Sequence, residues 1–355
     1  VKPHEEAEAY VDAMLGNYGQ QRLKAGFNQP VTDRFFARAA LNITKDDGYF
    51  KNIGQGRNNP TNDRQALLFQ TRWEPGDDFT LDSQLFYGKI RENFPGINCN
   101  VPSDDALFIR GLWVAHPGDT DPSNPQALRA NCERNSRQQL GDLTADQGPN
   151  AQLDKDLDTV LLGATAEWQF TEHHALKLVA GARGEKEGPI QASDSDGGPE
   201  QWGNNINTED SDRTSFSLEL QLNGDFLDQR LRYTTGVFVM RETNTENFTT
   251  SSVLKGIDIQ TLGDLVAGEL PSQPVAPSVP MVGILGGPTV VSDFDLENTT
   301  AAIFAQVSYD LTQNLELTLG ARWTSEERIS ELTVTQADFD ATRRPQRSDQ
   351  GTQAG

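Results

Sequence analysis

No uninterrupted apolar run of 18 residues occurs in the 355 positions of this chain, so it carries no helical membrane span, which needs about 20. Positive charge is short as well: 30 Lys and Arg stand against 52 Asp and Glu, a formal net charge of −22. That balance argues against nucleic acid as a partner, because such a surface would have to be basic. It reads as solvated acidic loops. Apolar residues make up only 35% of the chain and mean hydropathy is −0.59, less than a single large globular core would use. GxSxG, HExxH, Walker A and GxGxxG patterns are all missing, which leaves no motif for an enzyme and implies no cofactor.

Cysteine and histidine are scarce. The two cysteines, Cys99 and Cys132, share one long patternless stretch. No CxxC pair or neighbouring histidine completes a metal set. In an oxidising compartment they could close a loop of roughly 30 residues as a disulfide, adding about 3–4 kcal/mol on the chain-entropy model. Two free thiols are the alternative. Of the four histidines (His4, His116, His173 and His174), the His173-His174 pair falls in a tight turn and reads as solvated rather than metal-bound. Asp194-Ser195-Asp196-Gly197-Gly198 has the opening of a calcium loop but lacks the later ligands.

What the chain has in quantity is alternation. From Thr299 to Arg328, residues Ile303, Ala305, Val307, Tyr309 and Leu311 alternate with Gln306, Ser308 and Asp310. After a polar turn at Thr312-Gln313-Asn314, Leu315, Leu317, Leu319, Ala321 and Trp323 alternate with Glu316, Thr318, Gly320 and Arg322. A period of two marks a strand with one apolar and one polar face, and two such runs about a short turn make a hairpin. Each run is about ten residues, the length a tilted strand needs to cross a bilayer.

The pattern returns nine more times. It runs through Val11–Leu15, Leu23–Phe27, Phe35–Ile43, Leu67–Trp73 and Phe79–Tyr87, then Leu162–Phe170, Leu176–Ala182, Phe216–Leu222 and Leu231–Val239. About 11 strands result. The connections alternate in kind: tight near Pro30, Pro75, Thr171, Gly224 and Thr312, and long near Gly56, Asp119, Asp196 and Pro271, with a short first loop at Gly16–Gly19. Thr261–Leu270, within one long connection, reads as a short helix. Sorting loops by rim is a habit of outer-membrane barrels, with short periplasmic turns and long extracellular loops. Aromatics gather beside the tight turns, at Phe35, Trp73, Phe79, Trp168, Phe170, Phe226 and Tyr309, as an interfacial girdle requires. The fold class expected is all-β: a transmembrane antiparallel up-and-down barrel.

At this point the chain resembles a TonB-dependent outer-membrane receptor. The resemblance rests on Leu15-Gly16-Asn17-Tyr18-Gly19-Gln20 as a first barrel hairpin, on LNITKDDGY from Leu41, and on TSFSLELQL from Thr214. It rests also on the stretch from Phe304 to Arg322, which is similar to the family's FxQxxYxLTxxLxLTxGxR hairpin. Val1-Lys2-Pro3 resembles the end of the family's plug domain. The chain opens there with no signal peptide, which reads as an internal start.

The resemblance implies residues 1–5 as the end of the plug and 6–355 as the N-terminal half of a 22-stranded barrel. Long extracellular loops are expected at about 45–63, 92–157, 188–212, 244–298 and 329–355. It implies active uptake of a scarce solute across the outer membrane of a Gram-negative cell, a ferric siderophore before cobalamin or a glycan. The implied partners are TonB with ExbB and ExbD, acting on a region upstream of this chain, and outer-membrane lipid. An odd strand count leaves an open edge, which cannot sit in lipid, so a partial barrel is expected. On the polar parity, Asp82, Glu167, Arg183, Glu219, Arg232, Glu316 and Arg322 could line a wet lumen or touch a plug, or could simply satisfy one another. A passive porin or adhesin barrel is the alternative function, and a soluble β-sandwich binding module a third.

Overall fold

The computed structural model describes residues 1–53, 56–59, 61–93, 143–145, 154–192, 204–254, 285–286 and 289–337. Cys99, Cys132, His116, the Asp194–Gly198 loop and the Thr261–Leu270 segment lie outside them.

All regular structure among the described residues is β. In order, the strands are β1 (Glu8–Leu15), β2 (Gln21–Thr32), β3 (Phe35–Asp46), β4 (Phe50–Asn52), β5 (Arg57–Asn59), β6 (Asn62–Trp73), β7 (Phe79–Asn93) and β8 (Thr144–Ala145). They continue as β9 (Asp154–Thr171), β10 (His174–Ala192), β11 (Asn204–Phe226), β12 (Leu231–Leu254), β13 (Leu285–Gly286), β14 (Thr289–Thr312) and β15 (Leu315–Ala337). One sheet runs β1-β2-β3-β6-β7-β9-β10-β11-β12-β14-β15, with β13 attached to β12. Every pairing in it is antiparallel between neighbours along the path. The eleven strands of the path are the eleven that the alternation marks.

Connections at 33–34, 74–78, 172–173, 227–230 and 313–314 form one rim, and the remaining connections of the path, 16–20 included, lie at the other. At the tight-turn rim, single-residue register shifts sit between Pro30 and Thr32, His174 and Ala175, and Asp310 and Thr312, as bulges beside hairpin turns do.

The register turns the alternation into two continuous surfaces. Ala166 pairs with Leu178, Leu178 with Leu220, Leu220 with Val237, Val237 with Ile303, and Ile303 with Trp323. This row is apolar and open: Leu220 is 39% exposed and Trp323 67%. One residue over, the row reads Glu167, Lys177, Gln221, Gly236, Phe304 and Arg322. The apolar face therefore has no protein layer over it. Among the described residues only Phe36, Phe50 and Ala302 form a buried apolar core. So much exposed apolar surface in water would be an association hazard. In a bilayer it is the lipid contact of a barrel wall, and the polar face is the lumen.

Strand occupies part of all five stretches that the sequence marks as long loops. β10 continues to Ala192 and β11 begins at Asn204, inside 188–212. β12 and β14 take residues 244–254 and 289–298 of the stretch expected at 244–298, and β15 reaches Ala337, inside 329–355. Within 45–63, β4 and β5 form a small sheet, completed by β8 from within 92–157. The reason is physical. Beyond the apolar band both faces are polar, as in Thr243-Asn244-Thr245-Glu246-Asn247, so the period-2 signal fades while the backbone ladder carries on. Thr245 Oγ1 donates to Asp295 (2.7 Å) and Asn247 Nδ2 to Asp210 (3.1 Å) across these extensions.

Candidate functional site

All seven polar-parity residues singled out from the sequence lie on the polar face, and most find partners there. Arg72 grips Asp82 with two hydrogen bonds, Nε to Oδ1 at 2.8 Å and NH2 to Oδ2 at 2.9 Å. The fork-on-carboxylate geometry is the strong form of this contact. Lys177 pairs with Glu167 at 2.6 Å. Glu185 takes Arg183 from its own strand and Arg213 from β11, the latter at 3.6 Å. Arg232 bridges Asp310 (2.9 Å) and Glu316 (2.5 Å) beside the 313–314 turn. Glu219 accepts from Gln221 two residues along. Arg322 has no carboxylate partner among the described residues. It lies over the rings of Phe238 and Phe304, 5.7 Å from each centroid. Phe304 in turn lies across Gly236, where a Cβ would stand 2.6 Å from both Phe304 Cζ and the Leu220 carbonyl oxygen.

Several partners carry no motif. Arg72 and Lys177 are ordinary polar-face residues. Counting back across their hairpins, Arg72 opposite Asp82 and Lys177 opposite Glu167, is the signal that finds them. His173, expected to be solvated, hydrogen-bonds Asp225 at 2.9 Å while keeping 55% of its side chain exposed. His174 joins the interfacial aromatics, with Phe226 edge-on at 5.1 Å and Phe226 stacked on Tyr233 at 5.6 Å.

The segment before β1 supplies the most specific geometry. It does not leave the tight-turn rim but crosses the polar face. Asn28 of β2 holds it: Nδ2 donates to the carbonyls of His4 (2.8 Å) and Glu6 (2.6 Å), and Oδ1 accepts the His4 N–H (3.2 Å). Asn28 is 2% exposed and Pro3 is buried. Further along, Lys2 Nζ reaches Asp82 of β7 at 2.8 Å. Between these anchor points lies Phe36 of β3, on the polar-face parity and 3% exposed. Residues 2–6 thus span the inner wall from β2 to β7.

Residues 179–352 match the family model described as TonB dependent receptor-like, beta-barrel. Among solved structures, the chain is similar to the ferric-catecholate import receptor Fiu of E. coli K12 in its open form (15% identity, TM-score 0.59), over 100% of this chain and 51% of that one. It is similar also to the ferric yersiniabactin uptake receptor FyuA of Yersinia pestis (10%, 0.57, 96% and 46%) and to the ferripyoverdine receptor of Pseudomonas aeruginosa (15%, 0.52, 98% and 39%). At such identities the likeness is one of fold. The chain spans about half the length of the structures it matches. No curated protein sequence matches it. Residues 179–352 thus carry the β-barrel of the TonB-dependent receptor family, and the continuous antiparallel sheet extends the same architecture back to Glu8.

Proposed function

We propose that this chain is the wall of an active uptake receptor in the outer membrane of a Gram-negative cell. A plug precedes it in the lumen, residues 1–5 are the end of that plug, and TonB, energised through ExbB and ExbD, displaces it. The observation that supports this reading over a passive channel is the course of residues 2–6. A porin strand has no reason to begin from inside the lumen. Here the chain approaches β1 across the inner wall, pinned by Asn28 and Asp82, so that whatever precedes Lys2 is directed into the barrel. The polar, largely ion-paired lumen face suits a wet contact with such a plug rather than a packed core.

The cargo we assign is a scarce iron chelate, a ferric siderophore, in line with what the matched structures are named for.

The test is uptake of radiolabelled ferric siderophores by cells carrying the full-length gene, with and without TonB, together with the intact mass of the protein in outer membranes. TonB-dependent uptake and a mass that includes an upstream domain are expected. Solute flux that ignores TonB, with a mature N-terminus at Val1, would overturn the receptor reading in favour of a passive barrel.

A further inference from the structure

Resting on the reading of an upstream plug, we propose that Asn28 is a positioning residue that fixes the chain to the barrel wall at His4. In the same scheme Lys2 is a releasable contact, so that a pull on the plug is arrested between Lys2 and His4.

The two anchors differ in kind. Asn28 behaves as a piece of neighbouring strand. Its carboxamide exchanges both a donor and an acceptor with the backbone of His4, and its second donor goes to the carbonyl of Glu6. At 2% exposure it has no water to fall back on. Peeling residues 4–6 away means breaking three water-shielded hydrogen bonds together, before water can reach the carboxamide to replace them. Lys2 stands at the other extreme. Its side chain is 65% exposed, so water solvates the ammonium as soon as it leaves. Its partner is not orphaned either, because Arg72 already holds both oxygens of Asp82. An exposed ion pair whose carboxylate keeps a bidentate partner is an inexpensive contact to open. Asp82 and Arg72 form a parking place for Lys2, and Asn28 forms the stop.

Such a stop would have a use. Force applied to a plug should unseat the plug without peeling β1, the first strand of the wall, from β2. Asn28 sits in β2 opposite Glu8, the first residue of β1, so it intercepts the chain just before that ladder begins.

The test uses the full-length receptor in cells, with Cys99 and Cys132 replaced by Ser and a single reporter cysteine at Lys2→Cys or His4→Cys. Labelling by a small hydrophilic maleimide is followed with the proton gradient intact and after an uncoupler. The expected result is labelling of Lys2→Cys that rises on energisation and labelling of His4→Cys that does not. Adding Asn28→Ala should make His4→Cys respond as well, by about tenfold, the ratio implied by losing one buried set of hydrogen bonds. If Asn28→Ala does not reach the outer membrane, Asn28→Asp takes its place, since it keeps the acceptor for the His4 N–H and loses both donors. Energy-dependent labelling of both positions with Asn28 intact would overturn the proposal and leave the receptor reading standing. A Lys2→Cys reporter that never responds in a protein that still binds ferric siderophore would remove the plug reading, and the proposal with it.

Discussion

The first five strands of the main sheet and the last six are built to different heights. β1, β2, β3, β6 and β7 run 8 to 15 residues, whereas β9 to β15, the two-residue β13 aside, run 18 to 24. Above the lipid band the short half is finished by loops tied to one another. The Asp47 N–H donates to the Tyr18 carbonyl (2.9 Å), the Lys51 N–H to that of Leu143 (2.8 Å), and the Tyr18 and Tyr49 rings meet edge-on at 6.3 Å. The tall half simply continues its ladder, with polar cross-strand pairs such as Arg241–Glu297 at 3.0 Å. The lipid-facing apolar stretch, by contrast, is similar in both. A bilayer sets the width of the hydrophobic band, and backbone hydrogen bonding sets the height of the wall. The two are independent, because polar side chains on both faces cost a strand nothing once it has left the lipid.

Substitutions at matched depth would break that comparison most directly. Leu67 lies six residues from Trp73, and Leu220 six residues from Phe226, each counted from its tight-turn strand end. Leu67→Arg and Leu220→Arg should each cost about 2–4 kcal/mol in folding titrations of the full-length protein into lipid vesicles. Gln221→Arg, on the lumen face, should cost little. A large difference between the two leucines would mean that the halves do not share one band, and a larger cost at Gln221 would exchange the two faces.

Next in size is Gly236→Ala. A Cβ there would lie 2.6 Å from a backbone oxygen and from the Phe304 ring, so a loss of about 1–3 kcal/mol is expected from crowding. Gly184→Ala, where a Cβ meets nothing within 4 Å, should be neutral or stabilise by about 0.5 kcal/mol. The same titrations read both, and equal effects would contradict the close Gly236–Phe304 approach.

A third expectation concerns strain. Leu227, Asp228 and Gln229 are consecutive non-glycine residues with φ of 57°, 52° and 68°, in the turn joining the tall strands β11 and β12. No such residue occurs in the 33–34 or 74–78 turns of the short half. Gln229→Gly should therefore stabilise by about 0.5–1 kcal/mol. Destabilisation instead would show that the Gln229 side chain makes a contact worth more than its backbone strain. The smallest effect belongs to Thr245→Arg. It stands on the outward parity of β12 but well beyond the apolar band, and a change within about 0.5 kcal/mol is expected. A cost approaching that of Leu220→Arg would place the tall extension in lipid.

Much of this was legible in the residues. Phe216, Leu218, Leu220 and Leu222 announce a strand, a face and a membrane together, because lipid and lumen impose opposite demands every second residue. The sorting of loops by rim needed only Pro30, Pro75 and Gly224 on one side. What escaped was what lacks periodicity. Strand ends such as Thr243–Asn247 are polar on both faces and read as loop. The Arg72–Asp82 grip needed a register that the turn at 74–78 sets. Asn28 gave no signal at all: an asparagine on the polar parity of a strand is unremarked until another segment is laid over it. The interaction that most distinguishes this lumen depends on a contact 24 residues apart in sequence, His4 with Asn28, and no local pattern encodes it.

The path of eleven strands also has a consequence of direction. With every neighbour antiparallel, β1 and β15 point the same way across the membrane. Bringing those two edges together would make a parallel seam. A second copy of the sheet would meet the same obstacle, since the two leaflets differ and both copies would have to enter with the same orientation. For the described strands, parity thus rules out a ring made by simple doubling, although doubling would give an even total. An all-antiparallel ring needs an odd number of strands between β15 and β1, and those strands must differ from this set.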